Sequence, residues 1–215
     1  MSDLEVRNRI SEKAREYFLR FGFSKVTMNE IATELGMSKK TLYTYFPSKE
    51  ELLHASVQQM QEETSGQIEK LVADKTIEFS EKMNRLLQIV LTHHSKFDGR
   101  FLADLQKNVP DTWKFCNDFQ RERMQNNTTA IVREGIEKGL FRRDIQESFL
   151  VLLIIGSMQQ MMRPETLSQV PFTRAQVFEM MMDVFLSGIL TDEGRAKLVS
   201  RNRLVAVENS EHQMD

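Results

Sequence analysis

Lys39, Lys40, Thr41, Tyr43, Thr44 and Tyr45 fall within seven consecutive residues, interrupted only by Leu42. They bring ammonium, hydroxyl and phenol donors together with no carboxylate among them. Donors of that kind and density suit phosphate oxygens and the exposed edges of nucleotide bases. Thr27, Asn29, Ser38 and Lys49 extend the set, and Gly36–Lys49 contains no Asp or Glu at all. On a helix each residue advances ~100°, so Leu42 and Phe46 lie within ~40° of each other and mark a core side. Lys40 and Thr44 then point almost directly away from that side, flanked by Thr41 and Tyr43. A helix of this length, ~12 Å at ~1.5 Å per residue, fits a DNA major groove. Taken alone, so short a polar helix would more often be ordinary solvated surface; its neighbours decide otherwise.

Those neighbours are helices. Ser2-x-x-Glu5, Thr27-x-x-Glu30, Ser48-x-x-Glu51, Asp144-x-x-Glu147 and Thr173-x-x-Gln176 have the spacing of capping boxes or their Asp analogue. A first helix is predicted over Asp3–Phe21, with Val6, Ile10, Ala14, Phe18 and Phe21 as its apolar stripe and Gly22 as its stop. A second is expected over Met28–Leu35, ended by Gly36 in the left-handed region. Ser38 caps a third, Lys39–Phe46, and Pro47-Ser48 starts a fourth that runs past Gln61. Further helical patterns occupy Glu78–Phe97, Arg100–Lys107, Asp111–Lys138, Ile145–Met162 and Arg174–Ile189. No run has the sustained alternation of a strand. The expected class is all-α: a three-helix, helix-turn-helix domain over 1–50 and a larger helical domain over 51–215.

Composition sets the remaining bounds. The chain carries a formal charge of −2, but residues 1–50 hold nine Lys and Arg against seven Asp and Glu, giving +2 there and −4 elsewhere. A locally basic footprint on an acidic chain is compatible with nucleic-acid binding. A single cysteine, Cys116, rules out an intrachain disulfide and suits a reducing cytosol. The amino terminus shows no apolar signal-peptide core, and the longest apolar run, Phe149–Ile155, is far short of the ~20 residues that span a bilayer. The expectation is a cytoplasmic protein without a membrane segment. His94 and Asp98 stand at metal-ligand spacing, but Gly99 follows at once and favours a helix-ending charge contact. Neither a metal nor a cofactor is expected, and no Gly-rich phosphate loop or acid–base constellation nominates an enzyme.

Thr27–Leu53 resembles the DNA-binding segment of the TetR (tetracycline repressor) family of transcriptional regulators. The residues that carry the likeness are Thr27, Ile31, Ala32, Gly36, Ser38, Thr41, Leu42, Tyr43, Phe46, Lys49, Glu50 and Leu53, with Phe18, Gly22 and Phe23 upstream. Farther on, only Glu134–Phe141 has a family-like wording. The resemblance implies a phosphate contact for Thr27 and backbone or groove contacts for Thr41, Tyr43, Tyr45 and Lys49. Lys39, Lys40 and Thr44, with Asn29 behind them, become the candidates for base reading. The implied partners are a palindromic double-stranded operator and a small-molecule inducer that releases a repressor from it.

The larger domain gives this reading two further parts. The helices near 145–162 and 174–189 are apolar on more than one face, as though a second surface is covered, and a copy of the same chain is the simplest cover. Between them and the first domain lie Met and aromatic residues at helical spacing. Such stripes are usually core, but the resemblance places an inducer pocket there, largely apolar and with Met83, Phe101, Trp113, Phe119 and Met124 as its candidate lining. The competing reading is a ligand-binding or sequestering protein that does not use its helix-turn-helix on DNA.

Overall fold

The computed structural model describes residues 2–96 and 99–198, with side chains at all of these except 99, 100, 119 and 120. Ten helices are named among them: α1 (Asp3–Phe21), α2 (Met28–Glu34), α3 (Lys39–Tyr45), α4 (Lys49–Ala73), α5 (Phe79–Ser95), α6 (Gly99–Asn108), α7 (Pro110–Glu137), α8 (Glu147–Met161), α9 (Pro164–Leu167) and α10 (Arg174–Ile189). A further helical stretch occupies 192–198. No helix among the described residues is long and apolar enough to cross a membrane.

Local chemistry explains most of the starts. Ser2, Thr27 and Thr173 form reciprocal capping boxes with Glu5, Glu30 and Gln176. Ser48 caps α4 in one direction only, accepting from the Glu51 amide. Asp144 does not cap α8, contrary to the spacing. Its carboxylate is taken by the Arg142 guanidinium at 2.6 Å, and α8 begins after Gln146 without a side-chain cap. The stripe of α1 also needs correction. Ile10, Ala14 and Phe18 are buried, but Phe21 is 46% exposed, because the i+4 row that buries them passes to Gly22 instead.

The interior has three apolar clusters. The first joins α1, α2, α3 and the opening turns of α4 to Phe101, Leu102 and Leu105 of α6 and to Cys116 of α7. Burial pushes the Cys116 thiol up to about 12, which leaves it a core residue without nucleophilic character. The second and third clusters lie among α4, α5, α7, α8, α9 and α10, with Leu140, Phe141, Leu190 and Leu198 from the segments that follow α7 and α10. The expected boundary between residues 50 and 51 falls in the first turn of α4. That helix is continuous for 25 residues and contributes to both the first and second clusters. At the end of α7, the Phe141 ring lies over Gly135 so closely that a Cβ there would meet it at 2.4 Å. This gives the Glu134–Phe141 wording a packing reason.

His93 and His94 are both buried near the carboxyl end of α5. Asp98, the supposed partner of His94, lies outside the described residues. His94 Nδ1 instead accepts from Arg174 Nε at 2.9 Å, so the ring is neutral with its proton on Nε2. Burial, reinforced by Arg174, depresses both imidazoles, His93 to about 4 and His94 to about 2. Below the ordinary pKa of ~6.5 the unfolded chain therefore binds protons that the folded chain refuses, so stability is lost as pH falls from there. We expect unfolding free energy to drop by roughly 2 kcal/mol between pH 7 and 5.5. Urea melts of wild type and His94→Gln check this: the variant should lose about half the difference, and an equal difference in both removes His94 as a source.

Candidate nucleic-acid interface

Ile31 and Ala32 of α2 and Leu42 and Phe46 of the α3 segment are each at most 2% exposed, and they seat both helices in the first cluster. Between the helices, Gly36 adopts φ +65°, as expected for a left-handed stop, and the Met37 amide returns to Ala32 O at 3.0 Å. Ser38 then caps α3, its Oγ accepting from the Thr41 amide at 3.0 Å and pairing with Thr41 Oγ1 at 2.8 Å. With the core side so fixed, Lys39, Lys40, Thr41, Tyr43 and Thr44 are all exposed, as are Ser38, Asn29 and Thr27. The Lys39 ammonium stands 5.8 Å from the Tyr43 ring centroid. Thr44 Oγ1 turns back to Lys40 O at 3.0 Å. The outward face therefore has two ammonium groups and a phenol ring available to a ligand.

Thr27 is already occupied. Its hydroxyl donates to Glu30 Oε2 at 2.8 Å while its oxygen accepts from the Glu30 amide. The Thr27 hydroxyl and amide hold the Glu30 carboxyl below its ordinary pKa, so a phosphate arriving there competes with a carboxylate.

Tyr45 and Lys49 are half-buried and face inward. The Tyr45 hydroxyl donates to Asp3 Oδ1 at 3.3 Å; burial and the Asp3 charge raise its pKa. Lys49 donates to Phe23 O at 3.0 Å and Val26 O at 3.1 Å, with its ammonium 4.2 Å from the Phe23 ring centroid. There was a signal for this. Lys49 opens α4, where a cation opposes the helix dipole and needs another reason to be present. Arg7 was missed altogether. Its Nη1 donates to Tyr45 O at 2.7 Å, at the carboxyl end of α3, and its guanidinium lies 4.2 Å over the Phe46 ring. A cation is favoured at that end of a helix.

The expected inducer residues do not form one group. Phe101 and Trp113 pack in the first cluster, behind the outward-facing helix. Met83 is buried in the second cluster, and Met124 touches both the second and the third. The Phe119 side chain lies outside the described residues. Two open clefts are present, of about 740 Å³ along α1, α4 and α5 and about 860 Å³ along α1, α2 and α6. Among the described residues of the expected set, only Phe101 borders either one. Among the described residues, no three His, Cys, Asp or Glu side chains gather as a metal site would require.

Residues 10–56 match the family model of bacterial regulatory proteins of the tetR family. The chain is 32% identical over 173 residues to the uncharacterized HTH-type transcriptional regulator YvaF of Bacillus subtilis, an alignment covering 80% of this chain and 89% of the relative. Its fold is similar to that of a transcriptional regulator from Saccharomonospora viridis in complex with choline, with TM-score 0.64 and 21% identity over 88% of this chain and 100% of that one. It is also similar to FadR from Bacillus subtilis in complex with stearoyl-CoA, with TM-score 0.58 and 18% identity over 85% and 98%. With its capped helix-turn-helix and outward lysines, this chain belongs to the TetR family of DNA-binding transcriptional regulators and is not an enzyme.

Proposed function

We propose that the protein is a cytoplasmic, homodimeric repressor that binds a roughly palindromic operator and leaves it when a small, largely apolar molecule enters the larger domain. The observation that carries this reading is the division of α3 into buried anchors, Leu42 and Phe46, and an exposed set that shares none of them. Lys39, Lys40 and Thr44 read bases, while Thr41 and Tyr43 meet the backbone, with Thr27, Asn29 and Ser38 at the margin of the contact. Lys49 and Tyr45 position the head rather than touch DNA. Two copies of α3 then address half-sites one turn, ~34–36 Å, or a multiple of it apart.

The dimer reading is supported by an unpartnered apolar stripe. Phe149, Leu152 and Leu153 on α8 and Met180 and Val184 on α10 are 43–71% exposed. Gly156 and Gly188 lie in open space, where close approach of another helix is unobstructed. The inducer is assigned to the seam between the second and third clusters, where Met124 and Ile154 touch both and adaptable methionines are frequent. A molecule seated there acts only through its preference for a head spacing that misses the operator.

The test is a mobility shift on a duplex selected in vitro with the wild-type protein. Lys40→Ala should cost ~1–3 kcal/mol on that duplex and little on unrelated DNA. Lys49→Ala should leave the salt slope unchanged and lower the melting temperature, since two loop carbonyls lose their donor. A slope reduced by about one, with the melting temperature intact, would return Lys49 to the phosphate contacts. If no duplex is selected, the sequestering reading takes over.

A further inference from the structure

Ser24 lies in the loop between α1 and α2, and Asp104 lies on α6, far along the chain. Asp104 Oδ2 accepts the Ser24 amide at 2.9 Å, and Asp104 Oδ1 accepts the Ser24 hydroxyl. One turn later on the same helix, the Asn108 carboxamide donates to Asp104 Oδ1 at 2.7 Å and to Ser24 Oγ at 3.1 Å. A carboxylate and a carboxamide thus close on a single loop residue. Partial burial pushes the Asp104 carboxyl up, but the Ser24 and Asn108 donors outweigh it and hold it below the usual range. The loop bends at Gly22, with φ +86°, and Asp104 Oδ2 sits 3.4 Å from where a Cβ would stand. Lys49 of α4 grips the neighbouring carbonyls of Phe23 and Val26. Apolar contacts reinforce the arrangement: Phe101, Leu102 and Leu105 put α6 into the same buried cluster as α1, α2 and α3.

We infer that Asp104 is a positioning residue for DNA recognition: its hold on Ser24 sets the attitude of α2 and α3 and gives α6 a grip on the reading head independent of α4. This rests on the reading of α3 as the DNA-contacting helix. The outward residues of α3 hang from α2 through the four-residue stretch 35–38, so a loop free to swing at Ser24 lets them miss the groove without any loss of contact residues. Ser24 and Asp104 also line the cleft of about 860 Å³, so water reaches the bonds. Displacement of α6 away from the loop breaks the hold while the apolar core of the head persists.

The test uses the full chain and a duplex selected in vitro with wild type. Specific and non-specific affinity, melting temperature and amide exchange over residues 23–29 are measured for Ser24→Ala, Asp104→Ala and the double variant. Asp104→Ala should weaken specific binding about ten-fold and Ser24→Ala about three-fold, as expected for charge-assisted bonds open to water. The double variant should be no worse than Asp104→Ala, because both remove the same contact. Amide exchange should quicken over 23–29, and non-specific affinity and the melting temperature of Ser24→Ala should stay at wild-type values. Wild-type specific binding in both single variants, losses that add in full, or a loss for Asp104→Ala that only tracks its unfolded fraction would each overturn the proposal. If wild type selects no duplex, the DNA reading fails by itself, and unchanged amide exchange in the variants then overturns the hold as well.

Discussion

Leu152→Glu is expected to yield a monomer and to raise the operator Kd by at least about a hundred-fold while leaving the fold intact. Leu152 is 66% exposed on α8, so the substitution opens no cavity in the isolated chain. In the proposed dimer the same position lies inside an apolar face, where a carboxylate meets apolar side chains from the partner and finds no water or cation. Stable dimers bury ~1,200–2,000 Å² in total, and a charge at the centre of such a face removes much of its net free energy. Operator affinity falls when dimerisation is lost, because in the dimer the second head binds at the effective concentration set by the first. Light scattering at micromolar concentration reads the oligomeric state, and circular dichroism confirms helicity. A dimer with wild-type affinity would remove α8 from the interface; a monomer with wild-type affinity would remove pairing from the recognition mechanism.

The second large effect concerns stability. Glu134→Ala should cost about 3–5 kcal/mol, which lowers the melting temperature by roughly 10 °C in a chain of this size. The Lys82 side chain is 0% exposed, and its ammonium lies 2.8 Å from Glu134 Oε2, with Val72 O at 3.3 Å as its other acceptor. Glu134, at 7% side-chain exposure, is also approached by Lys75 and Lys138, each at 3.3 Å. Burial pushes the Glu134 carboxyl up, but hydrogen bonds from Lys82 and Lys138 outweigh it and hold it below its ordinary value. Its contribution is therefore present above pH ~4.5 and fades as pH drops through the folded pKa. Removing Glu134 leaves a buried cation with one carbonyl. Removing Lys82, as Lys82→Met, leaves a carboxylate that still has two partly exposed ammonium groups. Chemical melts should thus rank Glu134→Ala well below Lys82→Met, with Lys82→Met/Glu134→Leu recovering most of the loss. Equal losses in the two single variants would show that Lys75 and Lys138 do not matter.

What could be read in advance followed the range of the interactions. The starts at Asp3 and Arg174 match expectation because the two members of each capping box lie within three residues of each other. Asp144 failed as a cap because a guanidinium two residues away competes for it. The short α9 falls between the expected helices Ile145–Met162 and Arg174–Ile189, where Pro164 signals an interruption as readily as a helix start. The outward set on α3 was legible from angular spacing alone. Arg7 and Asp104 were not legible in their roles, because their partners stand 38 and 80 residues away, and Lys49 showed only that a cation stood out of place at a helix start, not that its partner lay 26 residues away. Phe101 and Trp113 show the matching limit for apolar residues: periodicity says that a face is buried, not which neighbour buries it.

The anchoring of α3 has a consequence for how this protein changes. Ser38 caps the helix, Leu42 and Phe46 root it, and Arg7 holds its last carbonyl. The exposed positions 39, 40, 43 and 44 take no part in those duties, so their identity is nearly free of cost to the fold. Recognition and foldability are therefore separate heritable traits. A lineage, or a library randomised at those four positions, can move to a new DNA sequence without first acquiring stability to spend on the journey.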